Sequence, residues 1–501
     1  MYRLVIRADS NFQIGTGHVM RCVALGQAWK DQGGQVSFFS YCESIALQQF
    51  IRDEGFDLTE VENPHPDSSD LIQLKIHLKQ HNETADAIWV VLDGYHFTSD
   101  YQKAIRKAGF RLMVIDDYNH LPEYHADILL NQNIGAEQLN YTCNLESLKL
   151  LGSRYVMLRR DFSQYKNFKR IISQKAKNIL ITLGGADPDN ITLKVINALK
   201  KSNDLELDIR VIIGPSNPNR SVLENAIKKF ESKILFVSPS PDQMPDLMAW
   251  AELAITAGGS TCWELCFMQV PMFVLIAAEN QREICRRLDE NFMGCCLGWY
   301  HDFSEKESSS KINKLIKDYS TRHHMVEQEK SYVDGKGLKR ILRQLLVGNF
   351  QLRLWKMQDC EHLWVWANDS LVRENSFNAE PILWNEHKKW FEHKIMDSNA
   401  YAYIAITELG ESIAQIRFEV SEQFAEINYS IAPSFRGIGI AELLIQKGIQ
   451  RFKTDHKGIL NLQALVKPQN KTSNHIFMKL GFVQFFNCSK NQEFIIWRYK
   501  L

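Results

Sequence analysis

A histidine follows a glycine-rich turn close to the start of the chain. Gly15, Gly17 and His18 lie between a short apolar strand and an amphipathic helix predicted over residues 19–30. Such a turn lets the backbone approach a phosphate or a sugar at a helix N-terminus. Because a helix N-terminus disfavours a positive imidazolium, a neutral His18 is able to accept a proton there. An ordinary strand–turn–helix with a capping histidine is the alternative interpretation.

Aspartates follow two further apolar segments of the same region. Asp93 comes directly after one predicted strand, with Tyr95 two residues later, and Asp116 and Asp117 come after another. Carboxylates just past strand ends lie where ligands bind in doubly wound sheets. Asp is also a preferred N-cap residue. Helix capping therefore stays open for Asp93 and is the favoured interpretation for Asp117.

A second turn of small residues lies near the middle of the chain. It follows a predicted strand, opens a helix and contains Gly259, Ser260 and Thr261. Glu264, one turn into the helix, could accept hydrogen bonds from both hydroxyls of a ribose, or could complete a capping box with Thr261. Past the next strand, Asn280 and Gln281 are expected either to contact a phosphate or sugar or to form a surface turn.

A third glycine-containing turn lies in the last part of the chain. Arg436, Gly437, Gly439 and Ala441 follow a predicted strand and begin a long helix. Their spacing exposes successive backbone N–H groups to a pyrophosphate, with the helix N-terminus behind them. A plain strand–turn–helix is the alternative.

The elements that must position these residues form three regions. Strand and helix patterns alternate over residues 1–150 and again over 151–347, which predicts two doubly wound parallel sheets. Residues 150–170 are charged and lack a clear period, so we expect a connector there. Residues 351–501 combine a hairpin-like pattern with helices and predict an α+β domain.

Composition limits the classes of function. The chain has 501 residues, 45% of them hydrophobic, and carries 59 Lys and Arg against 59 Asp and Glu. This balance argues against a broad nucleic-acid footprint. The start lacks a signal-peptide pattern, and the longest apolar run, residues 270–278, is too short to span a bilayer. We therefore expect a cytoplasmic protein without a membrane span.

The cysteines follow no pattern typical of metal sites. Ten are scattered along the chain without a Cys-x-x-Cys pair. Buried free thiols are favoured over metal ligands or disulfides. We predict no metal.

Residues 1–345 resemble the UDP-sugar hydrolases of pseudaminic acid biosynthesis, which release UDP from UDP-2,4-diacetamido-2,4,6-trideoxy-β-L-altropyranose. The resemblance rests on the Arg7-Ala-Asp opening, the Ile14-Gly-x-Gly-His-x-Met-Arg turn, the two aspartate-bearing strand ends, and the Ala257-Gly-Gly-Ser-Thr-x-x-Glu turn. It implies two Rossmann-like halves in the GT-B arrangement. It also implies that His18 activates water, that Tyr95 lines the sugar pocket, and that the second half holds UDP. The implied substrate-binding residues are Gly15, Gly17, Arg21, Asp93, Gly259, Ser260, Thr261, Glu264, Asn280 and Gln281.

Residues 351–501 resemble the GNAT acetyltransferases. Arg436, Gly437, Gly439 and Ala441 match their acyl-CoA pyrophosphate loop, and Asn470 matches a residue that commonly contacts the cofactor. The resemblance implies acetyl-CoA as co-substrate.

One residue departs from the GNAT pattern. Many members carry a tyrosine general acid at the position of Phe477, and phenylalanine cannot donate a proton. Water, another side chain such as Tyr429, or unassisted thiolate departure must then serve. Glu426 could deprotonate the acceptor amine, and a structural or exposed carboxylate is the equal alternative.

The two resemblances together predict a bifunctional enzyme. Acetylation of the 4-amino group of UDP-4-amino-4,6-dideoxy-N-acetyl-β-L-altrosamine would come directly before removal of UDP. A GT-B glycosyltransferase and a UDP-sugar sensor with a degenerate acetyltransferase module are the alternatives. A nicotinamide-dependent oxidoreductase is disfavoured because neither turn has the full dinucleotide spacing.

Overall fold

Continuous apolar runs form the first sheet of the protein. Its strands are β1 (Arg3–Ala8), β2 (Gln35–Ser40), β3 (Asp57–Glu60), β4 (Ile88–Asp93), β5 (Arg111–Ile115), β6 (Ile128–Asn131) and β7 (Leu148–Leu151). They are all parallel, in the order β3-β2-β1-β4-β5-β6-β7. Every residue of β1, β4, β5 and β6 is buried, as expected for parallel strands covered on both faces. The helices of this half are α1 (Gly17–Asp31), α2 (Ile45–Asp53), α3 (Ser68–Lys79) and α4 (Ser99–Lys107).

The second sheet repeats this design. Its strands are β8 (Asn178–Thr182), β9 (Asp208–Ile212), β10 (Lys233–Val237), β11 (Leu253–Ala257), β12 (Met272–Ile276) and β13 (Cys295–Trp299). They are parallel, in the order β10-β9-β8-β11-β12-β13. The helices are α5 (Ile191–Lys200), α6 (Arg220–Ile227), α7 (Met244–Trp250), α8 (Thr261–Phe267), α9 (Arg282–Glu290), α10 (Glu305–Lys317), α11 (Tyr319–Tyr332) and α12 (Gly337–Val347).

The third sheet is mostly antiparallel. Its strands are β14 (Gln351–Leu354), β15 (Ala400–Ile406), β16 (Ser412–Val420), β17 (Ala425–Ile431), β18 (Asn461–Val466), β19 (Val483–Phe485) and β20 (Ile495–Lys500). The order is β14-β15-β16-β17-β18-β20-β19, with β17 and β18 parallel. The helices are α13 (Cys360–Ala367), α14 (Ser370–Asn375), α15 (Trp384–Met396), α16 (Ile440–Asp455) and α17 (Lys471–Lys479).

These elements belong to two compact units, Met1–Ile341 and Leu342–Leu501, in a computed structural model. The first two sheets lie in the first unit and the third sheet lies in the second. The structure describes residues 3–80, 88–144, 147–184, 187, 189–201, 207–214, 217–228, 233–347, 350–407, 410–422, 424–436, 440–456, 458, 461–485 and 494–500.

The strand orders fix where ligands can bind in the first unit. In each parallel sheet the order reverses once, between β1 and β4 in the first and between β8 and β11 in the second. Such a switch point opens a crevice outside the carboxyl ends of the strands. The turn with Gly15 and Gly17 follows β1, and the turn with Gly259 follows β11. Both therefore lie at switch points.

The fold class of the structure agrees with the one predicted from the sequence. The α/β class, with two Rossmann-like halves of a GT-B type and an α+β domain after them, is confirmed. The interpretation of residues 150–170 as a connector missed the end of β7, and β3, β13 and helix α11 were also not predicted. The short strand β3 is a polar edge strand and lacks the continuous apolar pattern of a central strand. Strand β13 is a partly buried edge strand of five residues, Cys-Cys-Leu-Gly-Trp, whose glycine weakens the strand pattern.

Gly337 at the start of α12 provides a test of the packing of the first unit. A Cβ at this buried position would overlap the carbonyl oxygen of Val156 and the backbone of Tyr155. Since backbone atoms cannot rotate away, we expect Gly337→Ala to destabilise the first unit by about 1–3 kcal/mol. Calorimetric unfolding of the full chain measures the loss. Lys339→Ala, at an exposed position of the same helix, is the control, and equal melting of the two variants would contradict the packing described.

Candidate active sites

The side chain of His18 is hydrogen-bonded to a buried carboxylate. It is the second residue of α1, and its side chain is 11% exposed. Its Nδ1 lies 2.6 Å from Oδ1 of Asp93, the last residue of β4. Gly15 adopts a φ of +74° in the turn before the helix, a conformation that favours glycine. The turn and the strand end together fix the imidazole at the switch point.

The partner of Nδ1 determines which nitrogen of His18 is reactive. An ionised carboxylate only accepts hydrogen bonds, so Nδ1 carries the proton and donates it to Asp93. Nε2 makes no hydrogen bond with any residue that the structure describes. A neutral imidazole in this tautomer can accept a proton at Nε2.

Arg21 joins two buried aspartates next to this histidine. Its Nε and Nη2 each donate to Asp93 at 2.6 Å, and its Nη1 and Nη2 donate to Asp117 at 2.8 and 3.0 Å. Burial alone would raise the pKa of Asp93, but the Arg21 guanidinium and His18 together lower it below its ordinary value. Both oxygens of Asp93 are thus hydrogen-bonded within the protein, and its carboxylate holds the imidazole of His18 in place.

Tyr95 links the two halves of the first unit. Its ring meets the imidazole of His18 edge-on, with centroids 4.9 Å apart. Its hydroxyl donates to Asp117 Oδ2 at 2.5 Å and accepts from Nδ2 of Asn280 at 2.9 Å. Burial and the neighbouring Asp117 raise the pKa of Tyr95, so the hydroxyl stays protonated. Asn280 comes from the second half, which places it beside the same cleft.

The small-residue turn of the second half lies beside the first turn. A Cβ on Gly17 would come within 3.7 Å of Ser260 Oγ, and a Cβ on Gly259 would meet no atom within 4 Å. Ser260 is the N-cap of α8, and Thr261 is its first residue. The N-terminus of α8 is therefore close to the N-terminus of α1, with open space at Gly259.

Glu264 is paired with an arginine. The expected alternative, a capping box, is not formed, because the cap of α8 has no side-chain hydrogen bond. Instead Arg159 Nη2 lies 3.4 Å from Glu264 Oε1. Burial raises the pKa of Glu264, and Arg159 opposes this shift. Gln281 accepts a hydrogen bond from the backbone N–H of Ala277 at 2.9 Å, which stabilises the turn after β12.

Capping is wrong for both aspartates at the strand ends. The N-cap of α4 is Thr98, and no helix follows Asp117 directly. Sequence reasoning favoured capping for Asp117 because it could not show the side chains that come from distant segments. Three of these donate to Asp117, namely Arg21, Tyr95 and Asn133.

The second unit contains a cavity of about 1120 Å³. Strands β17 and β18 pair only at Ala425 with Leu462 and at Glu426 with Gln463, and then diverge. The cavity extends between the diverging strands and is lined by residues 427–431, by residues 464–467 and by the first turns of α17. It therefore occupies a gap inside the sheet.

Several predicted cofactor residues line this cavity. They are Arg436, Ala441 and Asn470. Arg436 pairs with Asp369 at 2.6 Å, while its Nη2 is buried and has no partner among the described residues. Gly437 and Gly439 lie outside the described residues. Glu426 lies one residue before the lining segment of β17, and burial and Glu419 raise its pKa.

The position expected to hold an acid contains an apolar side chain. Phe477 is 1% exposed, and its ring meets Tyr429 edge-on at a centroid distance of 6.0 Å. The hydroxyl of Tyr429 lies 2.8 Å from Ser473 Oγ. A pair of hydroxyls thus lies beside Phe477 and lines the same cavity.

Among the described residues, no group of three or more His, Cys, Asp or Glu side chains could hold a metal ion. Over the same residues, no helix combines the length and the apolarity that crossing a membrane requires.

Two family models match the chain. Residues 178–340 match the glycosyltransferase family 28 C-terminal domain, and residues 349–483 match the acetyltransferase (GNAT) domain. The second match confirms the resemblance that the turn at Arg436 indicated.

Curated relatives extend over both units or over the first alone. An uncharacterized protein of Methanocaldococcus jannaschii is 27% identical over 408 residues, which cover 78% of each chain. A UDP-2,4-diacetamido-2,4,6-trideoxy-β-L-altropyranose hydrolase of Campylobacter jejuni is 26% identical over 284 residues, 56% of this chain and 93% of the relative. The resemblance of the first unit to this hydrolase is thereby confirmed. Among solved structures, Acinetobacter baumannii MurG is 12% identical, covers 69% of this chain with 99% of its own length, and has a TM-score of 0.49.

The Arg21 network leads to a prediction about acid stability. The pKa of Asp93 is lowered in the folded protein, so its ionised form stabilises the fold above the unfolded pKa of about 3.9. This stabilisation is lost as the pH falls through the lower, folded-state value. At pH 7 we expect Asp93→Asn to cost about 3 kcal/mol, since Arg21 keeps a buried charge with one partner fewer.

Urea titrations between pH 3 and pH 7 test this, read by hydrogen exchange in peptides of the first sheet. The difference between wild type and Asp93→Asn should be largest at pH 7 and shrink below about pH 4. Asp100→Asn, at a side chain that is 92% exposed, is the control. A difference that stays constant with pH would contradict the assigned role of Asp93.

Proposed function

We propose that the protein modifies a UDP-linked amino sugar in two steps. The second unit transfers an acetyl group from acetyl-CoA to the 4-amino group of UDP-4-amino-4,6-dideoxy-N-acetyl-β-L-altrosamine. The first unit then hydrolyses UDP-2,4-diacetamido-2,4,6-trideoxy-β-L-altropyranose and releases UDP. The observation that carries the hydrolytic step is the His18–Asp93 pair at the switch point, beside the N-terminus of α8.

Hydrolysis requires a base for water. In the proposed step, Nε2 of His18 accepts a proton from water as its oxygen attacks the anomeric carbon. The bond from that carbon to the diphosphate oxygen breaks, and UDP leaves with the electron pair. Asp93 holds the imidazole and stabilises the imidazolium that forms, as carboxylates do in other histidine-dependent sites.

The second half supplies groups suited to the nucleotide. Open space at Gly259 and the N-terminus of α8 favour a diphosphate near Ser260 and Thr261. We expect Glu264 to accept hydrogen bonds from the ribose, and its pairing with Arg159 would hold the carboxylate for this role. Tyr95 and Asn280, already bonded to each other, line the sugar side.

Acetyl transfer is supported by the cavity of the second unit and by the GNAT match. Nη2 of Arg436, which has no partner among the described residues, fits an oxygen of the CoA pyrophosphate. The cavity extends past the diverging strands to Trp390 and Arg417, whose guanidinium lies 5.1 Å from the indole centroid. This end is suited to the acceptor, so the two substrates would meet between β17 and β18.

A second candidate for the first unit is glycosyl transfer. The match of residues 178–340 to a glycosyltransferase domain favours it, because an acceptor hydroxyl would take the place of water. The two are separated by incubating the acetylated UDP-sugar with the purified chain in ¹⁸O-labelled water. Label in the released sugar supports hydrolysis, and release of UDP only when an acceptor alcohol is added supports transfer.

The order of the two steps is tested with the amino sugar nucleotide itself. Mass spectrometry and phosphorus NMR follow the reaction with and without acetyl-CoA. We expect an acetyl-CoA-dependent gain of one acetyl group, followed by free UDP and the diacetamido sugar. Free UDP from the unacetylated amino sugar at the same rate would contradict the proposed order.

His18→Ala should separate the two activities. Loss of the base is expected to slow UDP release by about 10²–10⁴-fold, because water then lacks a proton acceptor. Acetyl transfer should remain within about twofold, as His18 belongs to the first unit.

Phosphorus NMR measures the release of UDP, and a thiol reagent measures the CoA formed. His323→Ala, at an exposed position of α11, is the matched control and should retain both rates. Unchanged UDP release in His18→Ala would remove this histidine from the mechanism.

A further inference from the structure

Acetyl transfer from a thioester leaves a sulfur anion that needs a proton. The amine nitrogen attacks the carbonyl carbon, the C–S bond breaks, and the sulfur departs with the electron pair. Phe477, where the GNAT resemblance leads one to expect a tyrosine, is buried and has no proton to give. Another donor along the cavity wall would serve the same purpose.

Tyr429 meets the geometric requirements for this donor. It lies on β17, where this strand has separated from β18, and its side chain lines the cavity. Its ring packs edge-on against Phe477 with centroids 6.0 Å apart, so the two residues are neighbours on the cavity wall. Tyr429 therefore reaches the cavity from strand β17, whereas Phe477 lies on helix α17.

The first turn of α17 fixes the Tyr429 hydroxyl. Ser473 Oγ lies 2.8 Å from it, and the backbone N–H of Ser473 donates to Oδ1 of Asn470 at 3.1 Å. Asn474 is also tied down, since it donates to the carbonyl of Lys467 and accepts from Trp497. These bonds hold the first turn of α17 in place, and the Ser473 hydroxyl meets Tyr429 from this turn.

We propose that Tyr429 donates its hydroxyl proton to the departing CoA sulfur, with Ser473 as the residue that positions it. This assignment rests on the proposed acetyl transfer. The sulfur leaves as CoA thiol, the amine loses one proton to a base, and the tyrosinate recovers a proton from solvent through the Ser473 hydroxyl. One amide bond forms, one thioester bond breaks, and the protons balance.

The surroundings of Tyr429 keep its hydroxyl protonated. Burial raises the pKa of Tyr429, while the hydrogen bond with Ser473 lowers it to a smaller extent. The hydroxyl therefore remains protonated through neutral pH and is available in each turnover.

The test uses the full chain, acetyl-CoA and the UDP-4-amino sugar. Tyr429→Phe removes the proton and little volume, so we expect kcat for CoA release to fall about 100-fold. The Kd for acetyl-CoA, measured by calorimetry, should stay within about twofold. Tyr403→Phe, a buried tyrosine on β15 bonded to Asp455 and remote from the cavity lining, is the control and should retain the wild-type rate.

Rescue distinguishes a proton donor from a packing residue. Adding Phe477→Tyr to Tyr429→Phe places a hydroxyl at the position usual for GNAT enzymes, and we expect it to restore kcat by about tenfold or more. Ser473→Ala should reduce kcat less than Tyr429→Phe does, and Ser473→Thr should restore it.

Three results would overturn the assignment. A wild-type rate in Tyr429→Phe would exclude this residue as the donor. A loss in Ser473→Ala as large as that in Tyr429→Phe would make the serine the donor. A wild-type chain that binds acetyl-CoA but acetylates no amino sugar would reject the proposed acetyl transfer, and the Tyr429 assignment with it, while UDP release would still report on the first unit separately.

Discussion

The candidate site of the first unit depends on the ion pairs that the buried guanidinium of Arg21 makes. It is ion-paired with two carboxylates, Asp93 and Asp117, and so offsets their mutual repulsion beyond the ends of adjacent strands. A buried carboxylate is stable only when paired and hydrogen-bonded. Because both carboxylates are paired with Arg21, Asp93 can orient His18 and Asp117 can hold the hydroxyl of Tyr95. One cation thus organises both polar groups that face the cleft.

The second unit achieves its site in a different way. There the main constraint is backbone geometry, since β17 and β18 stay paired at only two positions and then separate. The gap exposes side chains from both strands and from α17 to one cavity. Polar groups such as Arg436 and Ser473 line it without the dense ion pairing of the first site. The candidate site of the first unit therefore depends on ion pairs, and that of the second unit depends on the gap between β17 and β18.

Local sequence patterns were sufficient for the fold class and for most of the central elements. Continuous apolar runs identify β1 and β4, and glycine-containing turns identify the switch points. The roles of Asp117 and Arg159 could not be predicted, because their partners lie far away in the sequence, at Arg21 and Glu264. Long-range pairing between polar residues has no period that a local pattern reveals.

The hydrogen bond between Asn280 and Tyr95 has a consequence for the movement of the first unit. It joins the two Rossmann-like halves, and any opening of the cleft that parts these residues must break it. A hydrogen bond of this kind contributes about 1 kcal/mol, which corresponds to about a fivefold preference for the arrangement in which it is formed. Tyr95 therefore lies beside His18 and also helps to hold the two halves together.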